Sequence, residues 1–348
     1  MAKKALITGL AGQDAGHLAA LLHEKGYEVY ATLRGQLEAS HPRYRTAQEE
    51  FPYVKIVLAD SLDIASLVRT LIEIKPDEVY NLAAISHVGY SFKNPLLTAD
   101  LTGKAVLNLL EAIRLAGLEK TTKFYQASTS EMFGGLDYNR PGKGYDEESL
   151  FHPRSPYGVA KLYGYWIVRN YRESYGMYAV SGILFNHEGE RRGPEFVTRK
   201  ISKAVARIKL GKQDHIELGN LDSKRDWGYA GDYVEGMWRI LQQKTDSPKD
   251  YVLASGETHS IREFCEVAFK EIGMDIRWQD EGVHETGVDS EGKVRVKINP
   301  EFFRPAEVDI LLGNPAKAEK ELGWKRKVDF PGLVKLMVWH DIGLEEQS

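Results

Sequence analysis

Tyr157 and Lys161 stand four residues apart in Ser155-Pro156-Tyr157-Gly158-Val159-Ala160-Lys161, a spacing suited to proton transfer. Ser155 is a good N-cap and Pro156 a good first-turn residue, so the sequence predicts a helix that begins here. On such a helix Tyr157 and Lys161 share one face. A free tyrosine has a pKa of about 10. A neighbouring ammonium favours the phenolate, which predicts a lowered pKa and a tyrosine usable as a base. The same spacing also describes an exposed pair on an ordinary amphipathic helix.

A second set is Thr129 and Glu131 in Gln126-Ala127-Ser128-Thr129-Ser130-Glu131. In an extended segment the two point the same way. The hydroxyl could then hold a substrate oxygen while the carboxylate takes a carbon-bound proton. A plain hydride-transfer site needs less than this. Ser-Thr-Ser-Glu reads equally as a helix-capping tract.

Nucleotide binding is suggested near the start of the sequence. Lys4-Ala-Leu-Ile-Thr-Gly9-Leu-Ala-Gly12-Gln-Asp14-Ala15-Gly16 places glycines between a predicted strand and a predicted helix. Such a turn lets backbone approach a pyrophosphate seated on the helix N-terminus. The spacing is Gly-x-x-Gly-x-x-Ala, which a simple strand–turn–helix also satisfies. NAD-selective sites usually carry an acid about 20 residues further on. Here the second strand ends Ala31-Thr32-Leu33-Arg34, and Arg34 suits a 2′-phosphate, so NADP is favoured over a merely solvated arginine. Asp60 after the third strand suits an adenine edge, and Leu82-Ala83-Ala84-Ile85-Ser86 after the fourth lets backbone lie against a cofactor.

These residues need a scaffold that gathers strand ends. Strands are predicted at 4–8, 28–33, 55–59, 78–82, 123–127 and 180–185, alternating with helices at 15–25, 64–74, 98–116 and 157–175. That alternation predicts an α/β fold, a Rossmann-type doubly wound parallel sheet with right-handed crossovers. Beyond Phe185 the pattern loosens into a basic stretch, His187–Gly193, a helix at 196–210, and an apparent return to the first domain at 229–254. Cys265 falls in a predicted helix at 261–272, and 280–293 reads as a long loop or hairpin. Residues 1–185, joined by about 226–258, are expected to form the cofactor domain. Residues 186–225 and 259–348 are expected to form a smaller, interleaved α/β substrate domain.

Composition narrows the class. The 348 residues are 43% hydrophobic, 28% charged and 10% aromatic, so a disordered or fibrous chain is excluded. No apolar run reaches the roughly 18 residues of a membrane span, and the apolar run after Lys4 is read as a strand rather than a signal peptide. One cysteine excludes an internal disulfide and a thiolate metal site, which favours the cytoplasm and no metal. A net charge of −4 argues against nucleic acid as a partner, though not against a local anion pocket.

Thr8-Gly-x-x-Gly12 and Tyr157-x-x-x-Lys161 resemble the extended short-chain dehydrogenase/reductase family. Longer blocks narrow the resemblance to the GDP-mannose 4,6-dehydratase family. They are Gly12-Gln-Asp14, Lys123-Phe-Tyr-Gln-Ala-Ser-Thr-Ser-Glu131, Pro153-Arg-Ser-Pro-Tyr-Gly158, Gly182–Glu188, Phe196–Ser202, Leu218–Asp222, Lys224–Gly228, Asp232–Glu235 and Arg304–Asp309.

The resemblance implies a redox-neutral cycle. Tyr157 would remove the sugar O4 proton as hydride leaves C4 for NADP+, and Glu131 would take the C5 proton as water leaves C6. Hydride would then return to C6, giving GDP-4-keto-6-deoxy-mannose. Thr129 would bond O4, and Lys161 would hold the ribose and tune Tyr157. Together with the strand-end reading, the expected cofactor contacts are Gly9, Leu10, Ala11, Gly12, Gln13, Asp14, Arg34, Asp60, Ser61, Leu82, Ala83, Ala84, Ser86, Leu97, Tyr157, Lys161, His187 and Arg192. The expected substrate contacts are Ser86, Thr129, Glu131, Tyr157, Asn186, Val197, Lys200, Gly219, Arg225, Arg304 and Glu307. A homodimer or homotetramer is implied as well.

Three departures mark this sequence. Ala15 replaces a usual glycine, Arg34-Gly35-Gln36-Leu37 replaces Arg-Arg-Ser-Ser, and Gly189-Glu190 replaces Ser-Pro. Other readings are a dehydratase for another GDP-sugar such as a GDP-heptose, a nucleotide-sugar reductase or epimerase that would not need Glu131, and an idle dinucleotide-binding regulator that would lose the Tyr–Lys pair.

Overall fold

The computed structural model describes residues 2–33, 42–135, 144–302 and 310–347, with side chains from 45 onward in the second stretch. Its main layer comprises β1 (Lys4–Thr8), β2 (Glu28–Leu33), β3 (Lys55–Leu58), β4 (Glu78–Asn81), β5 (Lys123–Thr129) and β6 (Ala179–Leu184). Four short strands follow, β7 (Asn186–Glu188), β8 (Ile216–Leu218), β9 (Lys224–Arg225) and β10 (Trp227–Tyr229), and then β11 (Tyr251–Leu253). In the seven-stranded sheet β11-β6-β5-β4-β1-β2-β3 every neighbouring pair is parallel. The chain winds outward from β1 to β3 and then restarts at β4 on the other side of β1. A switch point of this kind opens a crevice at the carboxyl ends of the strands. This is the doubly wound Rossmann arrangement the sequence predicted.

Helices cover both faces, because alternate strand residues point to opposite sides. Ala5 and Ile7 pack with Leu18 and Leu22 of α1 (Gln13–Glu24) and with Val234 and Met237 of α9 (Ala230–Leu241). Leu6 points the other way, into a cluster with Leu71 of α3 (Ile64–Ile74), Leu109 of α6 (Ala105–Leu115) and Val168 of α7 (Pro156–Tyr175). The remaining helices of this half are α2 (Pro42–Glu50), α4 (Val88–Lys93) and α5 (Pro95–Thr98). A single helix was predicted over 98–116. Instead Ala99–Lys104 forms a π-helical stretch before α6. There Thr102 Oγ1 accepts the Ile85 amide at 3.1 Å, and Gly103 lies against the Ala160 carbonyl of α7, where a Cβ would come within 3.2 Å.

A second core lies between α8 (Val197–Lys209), α10 (Ile261–Lys270) and α12 (Phe330–Glu346), around Ile201, Val205, Phe264, Cys265, Met337 and Val338. Its strands are β12 (His259–Ser260), β13 (Arg277–Gln279), β14 (Thr286–Val288), β15 (Val294–Ile298) and β16 (Ile310–Leu311), with α11 (Ala316–Leu322) before α12. The predicted loop or hairpin at 280–293 is a hairpin. β14 and β15 are antiparallel, and Asp289 Oδ1 closes their turn on the amides of Glu291 and Lys293.

One buried ion pair ties this core toward the crevice. Arg199 Nη2 lies 2.7 Å from Asp341 Oδ1, and Arg199 also donates to the carbonyls of Glu190 and Arg192. Removing one partner of such a pair costs about 3–5 kcal/mol, because the other charge is left buried.

Candidate active site

A cavity of about 1660 Å3 follows the carboxyl ends of β1, β4, β5 and β6 and continues past α8 to Leu218, Gly219 and Phe302. Pockets for one small ligand usually hold about 300–1,000 Å3, so this volume admits two.

The inner end is built for a phosphate-bearing ligand. Gly9 has φ 82°, and a Cβ there would meet Ala83 Cα at 3.0 Å, so the β1–α1 turn runs close against the exit of β4. Thr8 Oγ1 fixes that approach by donating to Asn81 and accepting the amides of Leu82 and Ala83. Gly12 N-caps α1 without a side-chain acceptor, so the helix offers its first N–H groups to the cavity. Among the described residues, Ser128 Oγ is a buried polar atom without a hydrogen-bond partner, and Ser128 lines the cavity. A dinucleotide with an amide and hydroxyls would fit these features.

The helix carrying Tyr157 and Lys161 starts where the sequence predicts. Ser155 Oγ accepts the Gly158 amide at 3.0 Å, and Pro156 occupies the first turn. Tyr157 and Lys161 both line the cavity. Lys161 Nζ donates to the Ala127 carbonyl at 2.6 Å and lies 5.9 Å from the Tyr157 ring centre. Burial lowers the Lys161 ammonium to about 8. The lowered tyrosine pKa expected from the sequence is corrected here. Burial pushes Tyr157 up to about 12, against the support of its Thr129 hydrogen bond and with the Glu131 charge adding to the rise. Lys161 spends a short hydrogen bond on a backbone carbonyl, and in the protein alone desolvation prevails.

Thr129 and Glu131 also line the cavity, though by a different local route than the extended one predicted. β5 ends at Thr129, whose hydroxyl accepts the Glu131 amide at 3.3 Å and caps a 3-10 turn over Ser130–Met132. The capping reading of Ser-Thr-Ser-Glu is therefore the one realised. The turn sits directly on the start of α7: a Cβ at Gly158 would stand 2.9 Å from the Glu131 carbonyl oxygen. Glycine at 158 thus lets the Glu131 turn seat closely on the start of α7.

Of the expected cofactor contacts, Gly9, Leu10, Ala11, Gly12, Gln13, Asp14, Ser61, Leu82, Ala83, Ala84, Ser86, His187 and Arg192 line the same cavity. Asp60 and Leu97 are not among the residues lining it. β3 ends before Asp60, whose Oδ1 accepts the Leu62 amide at 2.9 Å, and its neighbours Ala59 and Ser61 line the cavity. Leu97 lies on the outer side of short α5 and is 37% exposed, while Leu101 faces inward. Arg34 lies outside the described residues.

At the outer end the cavity is lined by Asn186, Val197, Lys200, Gly219 and Arg225; Arg304 and Glu307 lie outside the described residues. Lys200 Nζ stands 3.7 Å from the centre of the Phe302 ring, and burial lowers its ammonium. Arg192 lies over Phe196 and 2.9 Å from Glu188. Phe196, Phe302 and Lys93 also face this space, unanticipated by the sequence reading. Phe196 opens the Phe196–Ser202 block, but no spacing marks its orientation, and Phe302 carries no motif.

A profile described as GDP-mannose 4,6 dehydratase matches residues 6–337. The chain is 50% identical over 355 residues to GDP-mannose 4,6 dehydratase 2 of Caenorhabditis elegans, covering 99% of this chain and 90% of that protein. It is 49% identical over 346 residues to GDP-mannose 4,6 dehydratase of Homo sapiens, covering 98% and 91%. It is 48% identical over 363 residues to GDP-mannose 4,6-dehydratase of Vibrio cholerae, covering 100% and 96%. Among solved structures, UDP-glucose 4-epimerase of Thermus thermophilus in complex with NAD superposes with a TM-score of 0.79 at 26% identity, covering 98% and 99%. RMD of Pseudomonas aeruginosa complexed with NADPH gives 0.75 at 22% identity over the same shares, a likeness of fold. With the matched region spanning both the β1–α1 turn and the Thr129–Glu131–Tyr157 cluster, the chain belongs to the GDP-mannose 4,6-dehydratase family.

Proposed function

We propose that this protein converts GDP-D-mannose to GDP-4-keto-6-deoxy-D-mannose and water, an NADP-dependent hydro-lyase reaction in which the cofactor is regenerated each cycle. The observation that carries the reading is the joint placement of a phenol, its hydroxyl partner and a carboxylate, Tyr157, Thr129 and Glu131, in one cavity with a diphosphate-binding turn. A reductase or epimerase on this scaffold has no use for Glu131.

NADP bound at the β1–α1 turn supplies a hydride acceptor at the start of the cycle and a hydride donor at its end. Thr129 and Tyr157 hold the sugar O4, and Tyr157 takes the O4 proton as C4 becomes a ketone. The ketone acidifies C5–H. Glu131 takes the C5 proton and delivers a proton to the departing C6 hydroxyl, so that water leaves. Reduction at C6 would leave C5 to regain a proton, balanced by the one Tyr157 took from O4, and the 4-keto-6-deoxy sugar would be complete. Lys161 is assigned to anchor the ribose and tune Tyr157, and the Thr129 hydrogen bond and the Arg192 charge counter the burial that raises the phenol.

Gly9 to Asp14, Leu82 to Ala84, Ser86, His187 and Arg192 are assigned to the cofactor. Asn186, Val197, Lys200, Gly219 and Arg225, with Arg304 and Glu307, are assigned to the GDP moiety, since a diphosphate needs clustered cations. Residues 1–185 with about 226–258 would form the cofactor domain, and 186–225 with 259–348 the substrate domain. The exposed Leu96, Val159, Tyr163 and Trp166 suit burial in a homodimer or homotetramer. Among the described residues no helix is long and apolar enough to cross a membrane, and a lone buried cysteine suits the cytoplasm.

Incubation with GDP-mannose and no external reductant is expected to give the keto-deoxy product without net NADPH. Stoichiometric NADPH release would rule out the cycle. The choice of NADP rests on Arg34. Arg34→Ala should weaken NADP binding about 10-fold or more while leaving NAD within about 3-fold, a loss of roughly 1.4 kcal/mol. Equal losses for both dinucleotides in a binding titration would remove Arg34 from the 2′-phosphate.

A further inference from the structure

Asp14 and His187 belong to two sequence blocks far apart in the chain, and the fold brings them into contact at the cofactor end of the cavity. His187 Nε2 lies 2.7 Å from Asp14 Oδ2, and His187 Nδ1 lies 2.7 Å from the Phe185 carbonyl oxygen. A backbone carbonyl and a carboxylate only accept, and a neutral imidazole has one N–H to give. Both contacts are satisfied at once by an imidazolium facing a carboxylate. The other assignment moves the proton onto Asp14. It is disfavoured because Gln13 Nε2 donates to Asp14 Oδ1 at 3.1 Å, because Asp14 lies in the first turn of α1, and because Arg192 is near. The imidazole is also stacked on Tyr233, with ring centres 4.7 Å apart and planes 18° from parallel. Burial alone would raise Asp14 and lower His187. The contact outweighs it on both sides, holding Asp14 at about 2 and raising His187.

A carboxylate at this position has a cost. The α1 N-terminus attracts anions, and a fixed negative charge there competes with a diphosphate for the same electrostatic field. We propose that His187 is a positioning residue for the dinucleotide: paired with Asp14 as an imidazolium, it cancels the carboxylate's charge and leaves the α1 N-terminus open to a diphosphate. The pair also pins the β1–α1 turn to β7, the first strand beyond the main sheet. Gln13 Nε2 reinforces this link by donating to the His187 carbonyl at 3.1 Å. The inference rests on the NADP reading above.

The test is a double-mutant cycle read by equilibrium binding of NADP+ to the full-length protein stripped of cofactor. With Asp14 present, His187→Gln removes the cation in direct contact with the carboxylate, and the dissociation constant should rise about 10- to 100-fold. In an Asp14→Asn background the same His187→Gln change should cost less than about 3-fold. Equal losses in both backgrounds would mean that His187 serves through shape alone and would overturn the proposal. A parallel cycle with His187→Asn uses a smaller amide, so misfolding of one variant leaves the other to decide. Failure of the unsubstituted protein to bind NADP+ would instead strike the cofactor reading.

Discussion

Glu131→Gln stops water loss. Turnover of GDP-mannose is expected to fall by about 100- to 10,000-fold, the range a positioned acid or base contributes. The substitution keeps the shape of the side chain. The 3-10 turn that presents it is held by backbone, through the Glu131 amide on Thr129 Oγ1 and the close seat over Gly158. What disappears is the ability to accept the C5 proton and pass one to the leaving hydroxyl. Oxidation at C4 depends on Tyr157 and survives. A single-turnover experiment should therefore show reduced nicotinamide accumulating on the enzyme, where the unsubstituted protein shows only a transient. Dehydration by the Gln variant at the normal rate would take Glu131 out of the reaction.

Tyr157→Phe acts earlier. Removing the phenol should lower turnover by a similar 100- to 10,000-fold, and here no reduced nicotinamide should form, because the O4 proton has no acceptor. Burial that raises Tyr157 to about 12 makes this step sensitive to pH. Only the phenolate accepts the proton, so in the unsubstituted enzyme kcat/KM should climb as pH rises on its acid side. Rapid mixing with GDP-mannose separates the two variants, with oxidation and no product in Glu131→Gln and neither in Tyr157→Phe. Oxidation at C4 in Tyr157→Phe would transfer the base role elsewhere.

Legibility of the sequence followed how local the information was. Ser155 and Pro156 announce the start of α7 with local chemistry, so the shared face of Tyr157 and Lys161 could be read directly. The near-continuous apolar strands revealed the parallel sheet for the same reason. Glu131 was found by type but not by geometry, because the Thr129 hydroxyl competes for the next amides and turns strand into 3-10 helix. The π-helical stretch at 99–104 escaped because it answers a tertiary demand, the approach of Gly103 to α7. The contact of Asp14 with His187 and the placement of Phe302 depend on segments that meet only in the folded chain. The pKa of Tyr157 was misjudged because spacing reports the ammonium four residues on and says nothing of burial.

The most direct measurement follows one atom. GDP-mannose carrying deuterium at C4 is converted in ordinary water without added reductant, and the product is examined by mass and NMR. If Tyr157 and Glu131 act in one redox-neutral cycle, the deuterium appears in the C6 methyl group and no reduced cofactor accumulates. Deuterium absent from C6, with labelled NADPH released in proportion to substrate consumed, would contradict it.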